Sequence, residues 1–225
     1  MSFSLKHIKR EPQVESDGPP PLLILLHGLG SNEQDLFSFA PLLDPRFLIL
    51  SVQAPISYGF GGYAWFNIDL TSGIPSANLQ QVMQARRLLG SFINEAIEAY
   101  QPDKNRIYLA GFSQGAIMSY AAAFSEPYLI RGLVSMSGYI LREVTAQVSF
   151  NPQLKKIRIF ATHGKRDQVL PIFLGRATND YLRTLHLDYT YKEYDMAHEV
   201  NAECFEDVKA WLKAQLDENL ASDSQ

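Results

Sequence analysis

At 225 residues, 46% apolar and 20% charged, the chain has ordinary soluble-globular usage and is long enough for one domain with a sizeable core. A net charge of −4 argues against nucleic acid as a partner, because phosphate binding needs a basic surface. Cys204 is the single cysteine, so no intrachain disulfide can form, which fits a reducing, cytoplasmic setting.

Met1 to Arg10 lacks an apolar core of signal-peptide length, and Ser4 to Ile8 are expected to form an antiparallel edge strand. Glu11 to Pro21, rich in Pro, Asp, Ser and Gly, reads as a loop. Leu22–Leu26 is a continuous apolar run. It is far shorter than the roughly 20 residues that span a bilayer, so no stable membrane insertion is expected. It reads instead as a strand buried on both faces. A helix over Glu33–Leu42 and a strand over Phe47–Val52 follow. Gln53 to Ala77 is too long for an ordinary strand-to-helix link and mixes glycines with Tyr58, Phe60, Tyr63, Trp65 and Phe66; long loops of this kind are often functional.

Asn78 to Tyr100 is the clearest helix. Leu79, Val82, Met83, Leu89, Ile93 and Ile97 recur at helical spacing, Asn78 can cap the start, and Pro102 follows the end. Beyond it, strands are expected at Ile107–Ala110, Leu133–Met136, Ile157–Ala161 and Tyr189–Tyr194. Helices are expected at Gln114–Phe124, Ile172–Leu185 and Glu199–Leu216. The polar tail from Asp217 to Gln225 is expected to fray. Such alternation predicts an α/β fold: a doubly wound, mainly parallel sheet with helices on both faces, in a single domain over residues 1–225. The stretch between Gly138 and Ile157 is too short for a cap domain with its own core.

Residues 111 to 115 read Gly-Phe-Ser-Gln-Gly. G-x-S-x-G alone is a weak pattern, but here it follows a predicted strand and opens a predicted helix, the setting of a nucleophile elbow. The tight turn would strain Ser113, and the flanking glycines would relieve crowding. His27-Gly28-Leu29-Gly30 follows the first core strand. That loop can place the Leu29 amide opposite the Gln114 amide as two donors for an oxyanion. Five histidines compete for the base. His7 and His186 are expected to be solvated, and His27 and His163 to structure loops. His198, between the last strand and the last helix, falls where a base follows serine and acid in chain order. Asp167, in the loop His163-Gly164-Lys165-Arg166-Asp167, opens at the same sheet edge as Ser113 and is the expected acid. Asp195 is its rival, only three residues from His198.

Taken with Ala64-Trp65-Phe66-Asn67-Ile68, Ser137-Gly138-Tyr139, Val169-Leu170-Pro171 and Ala197-His198-Glu199, these motifs occur in one order over most of the chain. In that order the sequence resembles the carboxylesterase, lysophospholipase and acyl-protein thioesterase branch of the α/β-hydrolases. Ala116, Asn67 and Ala197 depart from the family pattern, where glycine, aspartate and glycine are common. The resemblance implies an α/β-hydrolase fold without a cap domain, and a serine hydrolase with Ser113, Asp167 and His198 as its triad. It also implies neither metal nor organic cofactor, and no convincing metal-ligand spacing is present. The Gln53–Ala77 segment reads as one flank of an acyl-binding cleft, with Trp65 as its wall and Val169 and Leu170 opposite. The expected substrate is a short-to-medium carboxylic ester. Two alternatives are a lysophospholipid or acyl-protein thioester hydrolysed at the same site, and a hydrolase-like binding protein without turnover.

Overall fold

The computed structural model describes residues 3–14, 18–69, 71, 75–145 and 151–218. In chain order the strands are β1 (His7–Arg10), β2 (Leu22–Leu26), β3 (Leu48–Val52), β4 (Ile56–Gly59), β5 (Gly62–Ala64), β6 (Ile68–Asp69), β7 (Ser76–Ala77), β8 (Ile107–Phe112), β9 (Gly132–Met136), β10 (Arg158–Gly164) and β11 (Asp188–Tyr194). The helices are α1 (Gln34–Phe37), α2 (Leu79–Tyr100), α3 (Gln114–Ser125), α4 (Arg142–Thr145), α5 (Ile172–Thr184) and α6 (Ala202–Asp217).

Seven strands form one sheet in the order β1-β3-β2-β8-β9-β10-β11. Only β1 runs antiparallel, pairing His7 with Val52 and Arg10 with Ile49. The edge strand therefore exists but starts three residues later than the sequence pattern predicts. The reason is Ser4, whose amide and hydroxyl are held by the Glu95 carboxylate on α2 and so leave the ladder.

The run Leu22–Leu26 is buried throughout, and alternation across the pleat sorts its side chains. Leu22, Ile24 and Leu26 join a core with residues of α2, α3 and α5. Leu23 and Leu25 point the other way, into a core with Leu36 and with Cys204, Val208 and Leu212 of α6. Each fully buried leucine contributes about 1.5–3 kcal/mol, so both faces need cover, and helices supply it. The doubly wound sheet is as expected.

Asn78 caps α2 by accepting from the Gln81 amide at 3.2 Å, and Gln101 ends it in the left-handed region with φ 50°, just before Pro102. α6 starts at Ala202, not at Glu199, because Asn201 accepts from the Cys204 amide at 2.9 Å and fixes the cap there. The predicted Glu33–Leu42 helix is broken into α1 and a 3₁₀ turn over Ala40–Leu42 with Pro41 in its first turn. Proline has no amide to continue the α-helical ladder.

The Gln53–Ala77 segment is not an irregular loop. It holds a β4–β5 hairpin and a two-residue β6–β7 ribbon that pairs Ile68 with Ala77; Leu70 and residues 72–74 lie outside the described residues, as do 15–17 of the expected loop at 11–21. Between β9 and β10 the described residues hold α4 and one 3₁₀ turn, with 146–150 outside them. The expected frayed tail also lies outside them from residue 219 onward.

Candidate active site

β8 ends at Phe112 and α3 begins at Gln114, so the chain turns on Ser113 alone, at φ 54° and ψ −118°. Such a conformation costs a non-glycine residue about 1–3 kcal/mol, and the surroundings hold it in place. The Ser113 amide donates to Met136 O at 2.9 Å, tying the turn to β9. A Cβ at Gly115 would lie 1.9 Å from Leu26 O, and one at Gly111 would lie 2.3 Å from Gly115 itself. The spacing of the two glycines is thus a packing requirement of the turn.

Serine at a helix start ordinarily caps it by accepting from an amide of the first turn. Ser113 makes no such bond; its Oγ instead lies 2.9 Å from His198 Nε2. His198 Nδ1 in turn lies 2.7 Å from Asp167 Oδ2. A carboxylate can only accept, so Nδ1 carries the proton and Nε2 offers its lone pair to the serine hydroxyl. Asp167 is buried; its Oδ1 accepts from the amides of Val169 (2.9 Å) and Leu170 (2.8 Å). Burial alone would push this carboxyl up. The hydrogen bonds from His198, Leu170 and Val169 outweigh it and hold the group below its ordinary value.

Three loops after β8, β10 and β11 supply these residues. The last two are locked together by the Lys165 amide on Tyr194 O (2.8 Å) and the Arg166 amide on Met196 O (3.0 Å). The rival Asp195 is exposed and paired with Arg166 at 2.8 Å. His163 is buried, and its Nε2 donates to Leu170 O at 2.7 Å. His27 donates from Nδ1 to Gly28 O at 2.7 Å and accepts at Nε2 from the Ala54 amide at 3.0 Å. Burial pulls its proton affinity down against the Gly28 bond. Both histidines structure loops, as expected. His7 is half-buried rather than solvated as expected. It lies among Phe3, Phe92 and Tyr100, with Nε2 2.8 Å from the Tyr100 hydroxyl.

A cavity of about 190 Å³ opens beside Ser113. Gly28, Leu29, Gln114, Val169, Leu170 and His198 line it with Ser113, joined by Ser31, Asp35, Ile68, Phe112 and Ile117. Leu29 and Gln114 thus line the same cavity as Ser113. Gln114 is the first residue of α3, where a helix leaves amides without intrahelical acceptors. Next to Leu29, the Gly30 and Ser31 amides bond to Tyr63 O and Gly28 O.

Trp65 requires a correction. It is fully buried and does not line the cavity. Its indole donates to His27 O at 2.9 Å, and its amide donates to the Gln114 side chain at 3.1 Å. Trp65 supports the loop from behind, because a buried indole N–H must find an acceptor. Sequence reasoning missed three contributors. The Gln114 carboxamide also donates to Phe66 O at 2.8 Å, clipping the 65–66 segment to the head of α3. The Phe112 ring packs 4.9 Å from the His198 ring; its place inside the G-x-S-x-G motif was the available signal. Asp35 had none. Among the described residues, no group of three or more His, Cys, Asp and Glu side chains is placed to hold a metal. No helix there is long and apolar enough to cross a membrane.

Sheet, elbow and cavity define an α/β-hydrolase. Within that class the chain belongs to the phospholipase/carboxylesterase family, whose model matches residues 11–216, and it is accordingly a hydrolase of the carboxylesterase and acyl-protein thioesterase type. It is 28% identical over 211 residues to an acyl-protein thioesterase 1 from Kluyveromyces lactis, covering 87% of this chain and 92% of that one. It is 26% identical over 213 residues to a probable carboxylesterase SOBER1-like protein from Arabidopsis thaliana, covering 89% and 80%. The Bacillus cereus carboxylesterase shares its fold, with a TM-score of 0.80 at 23% identity over 93% of this chain and 94% of that one.

Proposed function

We propose that the protein is a serine esterase that cleaves carboxylic esters through an acyl-enzyme intermediate formed on Ser113. The chain Asp167–His198–Ser113, at 2.7 and 2.9 Å, carries this reading. His198 Nε2 takes the serine proton as Oγ attacks the acyl carbon, then delivers it to the leaving group. Asp167 fixes the tautomer and stabilises the imidazolium. The backbone amides of Leu29 and Gln114 receive the oxyanion. Water then attacks the acyl-enzyme with His198 again as base, and no cofactor enters the sequence.

The cavity favours the short end of the acyl range. It measures about 190 Å³, and its apolar walls are Ile68, Ile117, Val169 and Leu170. Thioesters are the second reading, favoured by the Kluyveromyces lactis relative's name; an acylated protein or a lipid ester would then be the substrate of the same serine. One domain spanning residues 1–225 and a cytoplasmic setting complete the proposal. The latter rests on Cys204, a free thiol that burial pushes up to about 11.

Two measurements test it. A fluorophosphonate should label Ser113 stoichiometrically, with the adduct mapped by peptide sequencing. Ser113→Ala should lower kcat on p-nitrophenyl butanoate by about 10⁶, as in other serine triads. An adduct on Ser135 or Ser137, or turnover surviving in Ser113→Ala, would refute the assignment.

A further inference from the structure

The cavity beside Ser113 carries one fixed charge, and it is negative. Among its lining residues Asp35 is the only carboxylate, and neither lysine nor arginine is present. Asp35 is exposed, and its Oδ2 accepts from the Ser31 hydroxyl at 2.7 Å. Among the described residues it has no ion pair, whereas Asp195 is matched by Arg166, Asp207 by Lys192 and Glu33 by Lys6. The Ser31 bond holds the carboxylate against the loop that carries Leu29. Facing that loop from β4, Tyr58, itself exposed, lies with its ring 3.7 Å from where a side chain on Gly30 would begin. Of these two groups Asp35 is the one that lines the cavity, and its carboxylate is what attracts a cation there.

We infer that Asp35 is a specificity-determining residue that selects substrates whose leaving group carries a positive charge, an ammonium or quaternary ammonium. This rests on the esterase reading above. The assignment to the leaving group follows from solvation. The acyl chain needs the apolar surface of Ile68, Ile117, Val169 and Leu170, whereas an exposed carboxylate meets only the part of a substrate that projects toward water. Anionic leaving groups face repulsion from the same charge, with no cation in the lining to offset it.

The effect is a modest one, because a solvent-exposed pair is weak and screened by salt. A matched pair of butanoate esters isolates it. One is the choline ester; the other is the 3,3-dimethylbutyl ester, in which carbon replaces the cationic nitrogen at nearly constant shape. At about 10 mM ionic strength the choline ester should have the higher kcat/KM by roughly three- to tenfold, and the butanoate ester of 4-hydroxybutanoate, whose leaving group is anionic, the lowest. The ratio should fall toward one at about 0.5 M salt, where screening acts within a few ångströms.

Asp35→Asn keeps an oxygen for the Ser31 hydroxyl and removes the charge, and it should collapse the ratio at low salt. If Asp35 merely braces the loop, the variant would lower kcat on both esters alike and leave the ratio intact, which overturns the inference. A ratio of one in the unaltered protein, or one insensitive to salt, overturns it as well, without needing the variant to fold. Absence of any Ser113-dependent turnover on the neutral ester would instead strike the esterase reading, and this inference with it.

Discussion

Ser113 Oγ has two uses open to it at the head of α3, capping the helix or meeting His198, and the backbone decides between them. At φ 54° and ψ −118° the side chain is carried away from the first-turn amides, so the dipole end of α3 stays free for a developing negative charge. Asp167 is held as firmly: both its oxygens accept hydrogen bonds, two from amides and one from His198. Asp167→Asn preserves shape but offers an NH₂ to His198, which favours the tautomer with its proton on Nε2. The expected fall in kcat is about 10⁴, with KM little changed. The same substitution bears on stability. Because the folded-state value of Asp167 is depressed, its stabilisation is complete above the unfolded value of about 3.9 and is lost as pH falls through the folded value. Urea denaturation should show a constant gap between the parent and Asp167→Asn above about pH 5 that narrows on acidification below about pH 4. A gap that widens there would contradict the carboxylate's role.

Elements bring these residues together through close backbone approaches. The end of β10 lies so near the loop carrying His198 that a Cβ on Gly164 would sit 2.3 Å from Ala197 O and 2.5 Å from Met196 O. Gly164→Ala must therefore push the Asp167 loop and the His198 loop apart. The expected cost is about 1–3 kcal/mol, a fall in Tm of roughly 3–10 °C. Fluorophosphonate labelling of Ser113 should slow at the same time. Unchanged labelling with lowered Tm would mean that the two loops adjust independently. Elements of this kind were legible where one physical signal dominates. Leu22–Leu26 reads as a buried strand because every position is apolar, and Asn78 marks a helix start that the structure keeps. The β4–β5 hairpin was not legible. Tyr58-Gly59-Phe60-Gly61 turns through three residues with positive φ, Gly59, Phe60 and Gly61, and its strands cover four and three residues, below the length at which alternation shows. Trp65 misled for a related reason. Sequence places an aromatic near a site, but only packing against His27 and Gln114 decides that it stands behind the wall.

At the scale of the whole molecule, β8 to β11 lie side by side in chain order, whereas β2 and β3 are exchanged. The central strand β8 delivers Ser113, while Asp167 and His198 arrive from β10 and β11 at one edge of the sheet. The elbow motif, the loop positions and the chain order together pointed to Ser113, Asp167 and His198. Their meeting depends on a register that pairs Gly164 with Tyr194 and Phe112 with Met136, which no local pattern encodes. Parallel pairing closes long loops and is slow to form. In refolding from urea, esterase activity should therefore return after most of the far-ultraviolet circular dichroism has recovered; simultaneous recovery would show that the edge strands form with the centre. The separation also has a temporal side. Ser113 and His198 are 85 residues apart. At a synthesis rate of about 5–20 residues per second, Ser113 emerges roughly 4–17 s before His198. On the proposed mechanism the growing chain holds its serine without a base throughout that interval. Hydrolysis would then begin only when the last strand docks, and the first turnover would mark a finished sheet.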